Sequence, residues 1–262
     1  MWQSQKHRTP LPPRYLGISG EYLGTHTYIE RLSLFIYTPR MARKARVVAV
    51  DMPHHVTQRG NRRQQVFFCD EDYEAYKLLL AECCENAGVK VWAYCLMPNH
   101  VHLVLVPTTQ NGLRDALKAT HRQYTRHINF REGWRGYLWQ GRFSSFPMDE
   151  KYLLACARYV EMNPVRARLV TKPEQWRWSS ARAHLGLAAD GLVDINALES
   201  FVPDWQAFLA EACSHEEYEE IRAGERTGRP LGSSSFIKKL EEHLGRPLAR
   251  QKPGRKLKSE AA

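Results

Sequence analysis

Two hydrophobic periods alternate along residues 46–148, and together they predict a fold. Residues 46–59 alternate with period two, so His55, Thr57 and Arg59 share one face of a strand and Val56 and Gln58 the other. A basic turn, GNRRQ, follows at residues 60–64. After Asp70, a candidate N-cap, Tyr73, Tyr76, Leu79, Leu80, Cys83 and Cys84 recur at steps of three and four up to Gly88, the pattern of an amphipathic helix. Residues 89–96 read as a second strand. Pro98-Asn99 supplies a turn, and the unbroken Val/Leu run from His100 to Val106 reads as a central strand. A second helix over 113–129 turns Leu113, Leu117, Tyr124 and Ile128 inward and aligns Lys118, Arg122 and Arg126 on another face. Residues 137–148 complete the set as a fourth strand. The order β-α-β-β-α-β predicts an α+β, ferredoxin-like antiparallel sheet with both helices on one face and the other face open, the natural place for a site.

Residues 150–162 predict a third helix, in which Leu153, Leu154, Ala157 and Val160 form a packing stripe while Tyr159 and Asn163 stand one turn apart; Pro164 sets its end at Asn163. Beyond it, Arg166, Arg168, Lys172, Arg177 and Arg182 interleave with Trp176 and Trp178, a composition that suits phosphates and stacked bases, or a core with a solvated rim. Residues 190–204 read as a linker, 205–221 as a short helix and 224–232 as a break. Ser233 to Ser235 cap a final helix carrying Phe236, Ile237, Leu240 and Leu244, with Gly245 at its end. Residues 1–40 show no sustained period and are expected to be a disordered leader, with Met41 an alternative start. The organisation expected is thus a leader (1–40), a catalytic domain (41–187), a linker with a short helix (188–221) and a basic DNA-binding extension (222–262).

Charge narrows the partner. The chain has 38 Lys plus Arg against 28 Asp plus Glu, a formal +10, which favours a polyanion such as nucleic acid. Residues 222–262 alone hold eleven Lys/Arg and four Glu. The six cysteines have no metal-binding or disulfide spacing and fall mostly on apolar positions, as in a reducing compartment. No apolar run reaches the roughly 18 residues of a membrane span, and the expectation is a cytoplasmic protein without a membrane partner.

Candidate chemistry concentrates at two points. His100 and His102, two residues apart on a strand, point the same way, and with the amide oxygen of Asn163 they make three neutral ligands that leave an ion its full charge and open positions. Mg²⁺ or Mn²⁺, partly bound by a phosphate, suits such a set. Tyr159, one turn from Asn163, is then placed to attack phosphorus. Its free pKa of about 10 requires help from the ion and nearby arginines. Because one phosphodiester replaces another, the step is reversible and can rejoin strands without ATP. Tyr124 is the rival nucleophile but lies on a core stripe.

Five stretches then carry a resemblance: PHHVTQRGNR (53–62), MPNHVH (97–102), LWQGRF (138–143), ARYVEMNPVRA (157–167) and WSSA (178–181). In this order, over about residues 42–186, they resemble the REP-associated tyrosine transposases, a single-tyrosine branch of the HUH endonuclease superfamily. The resemblance implies that His100 and His102 are the histidine pair, Tyr159 the nucleophile and Asn163 the third ligand, where some relatives carry Gln. It further implies a ferredoxin-like fold, cleavage of single-stranded DNA through a 5′-phosphotyrosine and recognition of REP-type hairpins, and it leaves monomer and homodimer both open. Arg59, Arg62, Arg63, Arg142, Arg166 and Arg168 are the expected DNA contacts. Two other readings stand beside it: a domesticated, non-catalytic hairpin-binding protein, and a metal phosphodiesterase that uses water.

Overall fold

The computed structural model describes residues 45–211 and 213–249; the expected leader and the last basic residues lie outside them. Four strands, β1 (His54–Arg59), β2 (Val89–Met97), β3 (His100–Pro107) and β4 (Ser144–Pro147), form one antiparallel sheet in the order β2-β3-β1-β4. Two long helices, α1 (Asp70–Asn86) and α2 (Gly112–Glu132), connect β1 to β2 and β3 to β4. This is the ferredoxin-like arrangement that the periodicity predicts. Alternation sorts the strand residues as expected. Val56, Tyr94, Leu96, Val101, Leu103 and Leu105 point to one side and pack with Tyr76, Leu80, Leu113, Leu117, Tyr124 and Ile128 of the two helices. Each large side chain fully buried there contributes roughly 1.5–3 kcal/mol.

The face expected to be open is covered. Ala93, Cys95, Met97, Val104 and Phe146 project to it and pack against α3 (Glu150–Glu161), whose Leu153, Ala157 and Val160 form the predicted stripe, with Cys156 buried beside them in place of the half-buried Leu154. After a one-residue interruption at Met162, the single turn α4 (Asn163–Arg166) follows. Pro164 therefore breaks the helix but does not end it, because a proline in a first turn forfeits no hydrogen bond. The single turns α5 (Ala181–His184) and α6 (Asn196–Glu199) lead to α7 (Trp205–Ala210), α8 (His215–Thr227) and α9 (Ser234–Leu244). Trp205, Phe208, Leu209 and Ile221 extend the second core, and Leu198 and Val202 join it with Leu231 packed against it, so the stretches read as a linker and a break are packed structure.

Three local details explain the differences from the sequence reading. β1 starts at His54, not at 46, because the chain turns at Asp51 (φ 58°) and Pro53 has no amide hydrogen to give. β4 is confined to Ser144–Pro147, since Gly141 is left-handed and only Trp139 of the preceding stretch bridges to Gly60. And α8 runs through Gly224 because a Cβ there would lie 2.8 Å from the ring of Phe146: glycine permits the helix to lie directly on β4. Trp178 proves to be a core residue, and Trp176 packs half-buried against the core. Trp178 stacks on Tyr73 at 4.6 Å, and the Trp176 indole donates to Leu96 O at 3.0 Å.

A buried carboxylate ties the second layer together. Glu161, at the end of α3, accepts hydrogen bonds from Ser180 Oγ (2.5 Å), His184 Nδ1 (2.7 Å) and Trp205 Nε1 (2.8 Å). Two segments distant in sequence, residues 180–184 and Trp205, thereby converge on one anion. The final helix keeps the caps read from sequence, with the Ser233 hydroxyl accepting from Phe236 N and left-handed Gly245 closing it. Its Leu240 packs with Val47, Ala49 and Leu248.

Gly224→Ala should gain about 1 kcal/mol of helix propensity yet lose more from forced repacking against Phe146. The expected net effect is a lower urea midpoint, partly restored when Phe146→Leu is added.

Candidate active site

The pairing of β1 with β3 sets the site. Arg59 is opposite His100, Thr57 opposite His102 and His55 opposite Val104, so all of them share the face covered by α3. His102 sits at the centre. Its ring lies 4.9 Å from that of His100, 5.3 Å from that of His55 and 5.5 Å from that of Tyr159, which α3 brings down over the sheet. His100, His102 and Tyr159 are thus brought together as the sequence leads one to expect.

The histidine hydrogen bonds decide which ring nitrogens are free. His102 Nδ1 lies 3.1 Å from His55 Nε2, and His100 Nδ1 lies 2.6 Å from Asn99 Oδ1. With Nδ1 engaged on both rings, the Nε2 atoms are left to accept a metal ion, the orienting arrangement of metal-bound imidazoles. Burial keeps these rings neutral: it lowers His55 and His100 to about 3 and His102 well below its ordinary value, with Arg59 adding to the effect at His100. Neutral imidazoles at neutral pH are what a divalent cation requires.

Two residues of the cluster were not singled out as site residues from the sequence. Glu225 of α8 places Oε1 3.5 Å from His102 Nδ1 and 3.8 Å from His55 Nδ1, and it accepts the Tyr159 hydroxyl at 3.3 Å. His55, His102 and Glu225 each offer a ligand atom, all within 4.8 Å of one another. The signal for His55 was present, since it shares a strand face with Arg59. None existed for Glu225, which stands 66 residues beyond Tyr159 in a stretch that reads as a break.

Electrostatics around the phenol oppose its ionisation in this state. Burial first, and then the Glu225 carboxylate, push the Tyr159 pKa upward against the pull of Arg166, whose guanidinium lies 4.4 Å above the ring. Burial likewise raises Glu225, with Tyr159, Arg59, Arg222 and Arg166 opposing. Tyr124, the rival, is buried and spends its hydroxyl on Val66 O at 2.7 Å.

The remaining expected residues distribute as follows. Asn163 is buried at the first position of α4, four residues after Tyr159 and across the Met162 interruption. Arg59 and Arg166 face the cluster, as the shifts above require. Arg62 and Arg63 form an exposed turn in left-handed geometry (φ 53° and 62°), Arg142 is exposed, and Arg168 is exposed and left-handed (φ 58°) just after α4.

Two measurements follow from this geometry. His54, His55, His100 and His121 have folded pKa values of about 3 to 4, below the unfolded value of 6.5. Between these limits the unfolded chain binds more protons, so the metal-free protein should lose stability as pH falls from about 6.5 toward 4, on the order of 1 kcal/mol per pH unit per histidine. Urea titrations at several pH values check this, and His121→Gln should flatten the dependence. Second, His55→Gln should weaken Mn²⁺ binding about 10- to 100-fold in calorimetry, because His55 orients His102.

Similarity to known proteins agrees with the site. Residues 49–163 match the family model Transposase IS200 like. The ISDra2 transposase TnpA of Deinococcus radiodurans is 25% identical over 133 residues, covering 48% of this chain and 94% of that protein. A putative REP-associated tyrosine transposase of Haemophilus influenzae is 27% identical over 124 residues, covering 43% of this chain and 68% of that protein. Among solved structures, a REP-associated tyrosine transposase bound to a REP hairpin aligns with TM-score 0.49 and 19% identity over 59% of this chain and 90% of its own. A putative transposase of Deinococcus radiodurans R1 aligns with TM-score 0.33 and 25% identity over 46% of this chain and 96% of its own. The resemblance read from the five motifs is upheld: residues 49–163, the span that holds His100, His102 and Tyr159 in one cluster, match the IS200-like transposase model.

Proposed function

We propose that this protein is a metal-dependent single-strand DNA endonuclease and strand transferase that acts on REP-type hairpins through a 5′-phosphotyrosine. The observation that carries the reading is the approach of the Tyr159 ring to 5.5 Å from that of His102, between the middle of the sheet and α3. His100 and His102 would hold the ion through Nε2, with the Asn163 amide as third ligand. A bound Mg²⁺ or Mn²⁺ would polarise the phosphodiester and offset its developing charge.

The residues of the chain account for the rest. The Tyr159 hydroxyl is protonated in this state and already donates to Glu225, which gives its proton somewhere to go. Arg166, above the ring, would stabilise both phenolate and phosphate. The tyrosine oxygen forms the new bond to phosphorus as the bond to the 3′ oxygen breaks, and the departing 3′-hydroxyl takes up a proton. Reversal by another 3′-hydroxyl joins strands. Arg59, Arg62, Arg63, Arg142, Arg166 and Arg168 would neutralise phosphates along the substrate. The hairpin preference rests on likeness to the REP-associated branch, one of whose solved members is bound to such a hairpin. The basic segment from residue 222 would add phosphate attraction.

One observation favours the non-catalytic alternative. Tyr159 and His102 are only 4% and 3% exposed, so a phosphodiester reaches them only if a covering side chain moves. A covalent-adduct assay separates the two readings. With Mn²⁺ and hairpins labelled at either end, denaturing electrophoresis should show label attached to protein in the wild type and none in Tyr159→Phe. Cleaved ends without adduct would indicate hydrolysis by water, and intact DNA a binding protein.

A further inference from the structure

Beside the cluster, the surface holds aromatic rings where a folded chain ordinarily puts none. Phe130 is 90% exposed, Tyr137 87% and Trp134 44%, with Phe68 partly exposed beside them. They belong to one locality. The loop after α2 folds back on the helix, with Trp134 N donating to Asn129 O (2.8 Å) and the Asn129 amide to Gly136 O (3.0 Å). Trp134 then meets Phe68 edge to face at 5.6 Å.

The charge around them is positive. Arg62, Arg63 and Arg135 are exposed and have no acidic partner among the described residues. The turn bearing Arg62 and Arg63 is fastened to the segment bearing Tyr137 by the bond from Asn61 N to Leu138 O (2.8 Å). That turn also leads into the site. Asn99 donates its amide to Arg63 O at 3.0 Å and holds His100 Nδ1 with its oxygen at 2.6 Å. The aromatic surface is therefore joined to the candidate metal site through a short run of hydrogen bonds.

From this continuity we infer that Phe68, Trp134 and Tyr137, flanked by Arg62, Arg63 and Arg135, form a stacking surface for the unpaired nucleotides that flank a hairpin and lead the strand to His100 and Tyr159. Unpaired bases are the occupant that suits both features. A duplex hides its base faces and offers phosphates alone, whereas a single strand presents a π-face and a phosphate at every step. The inference deepens the proposed function and rests on it.

The test compares wild type with Trp134→Ala/Tyr137→Ala, whose exposed positions leave the core untouched, as near-ultraviolet circular dichroism checks. Affinity is measured by fluorescence anisotropy for one hairpin carrying single-stranded flanks, for the same hairpin without flanks, and for one whose flanks are abasic. The double variant should bind the flanked hairpin about 10- to 100-fold more weakly and the blunt hairpin as wild type does, and abasic flanks, which keep only their phosphates, should give wild type only a small part of the advantage that intact flanks give. Unchanged affinity for the flanked hairpin, or equal loss on flanked and blunt forms, would overturn the inference. So would a wild-type dimer in sedimentation that the double variant lacks, which would make the patch a protein interface. Flank-dependent binding without a covalent adduct would instead sink the strand-transfer reading and leave the stacking surface standing.

Discussion

The register between β1 and β3 is the constraint from which the site follows. With Thr57 opposite His102 and Arg59 opposite His100, every polar group of the cluster lies on one face of the sheet and Val56, Val101 and Leu103 lie on the other. A slip of one residue would send the imidazoles into the apolar layer under α1 and α2 and put the valines in their place under α3. The burial of Leu103, Leu105 and their helical partners therefore fixes where the histidines point. Core packing and chemistry are set by the same pairing.

The second layer then makes the cluster a closed one. α3 brings Tyr159 onto the sheet, and α8 brings Glu225 to the phenol and the histidines. That closeness depends on an absence of side chain, since Gly224 lies against the ring of Phe146, which is opposite His55 in β4. The strand pairing thus orients both the imidazoles and the surface on which the carboxylate-bearing helix rests. The resulting site combines neutral nitrogen donors, one carboxylate and a nearby guanidinium in a nearly dry setting, where each electrostatic interaction is worth more than in water.

Much of this was legible in the chain itself. Alternation over residues 46–59, the unbroken apolar run of β3 and three-four spacing in α1 and α2 gave the ferredoxin-like order, and the H-x-H spacing gave the shared face of His100 and His102. The end effects were harder to read. Nothing in residues 46–53 or 137–143 announces that a left-handed Asp51 or Gly141 interrupts pairing, because these are local conformations that the partner strand imposes. The covering of the second face was missed for a related reason: α7 is a six-residue helix, and the apolar residues of α7 and α8 make sense only against Phe146 and α3, far away in sequence. Trp176 and Trp178 looked suited to bases but satisfy the core, since composition does not report which ring meets Tyr73. Glu225, in a stretch rich in arginine and glycine, carried no pattern at all.

Glu161 has a consequence for where this protein begins and ends as a folding unit. It lies within the span that matches the transposase family, yet all three groups that hydrogen-bond its side chain come from residues 180–205, outside that span. A fragment cut at the similarity boundary would lose, together with these donors, Ala181, Leu198, Trp205, Phe208 and Ile221, and would leave the apolar residues they cover facing water. Kinship marks out one segment of the chain, while autonomy of folding requires a longer one.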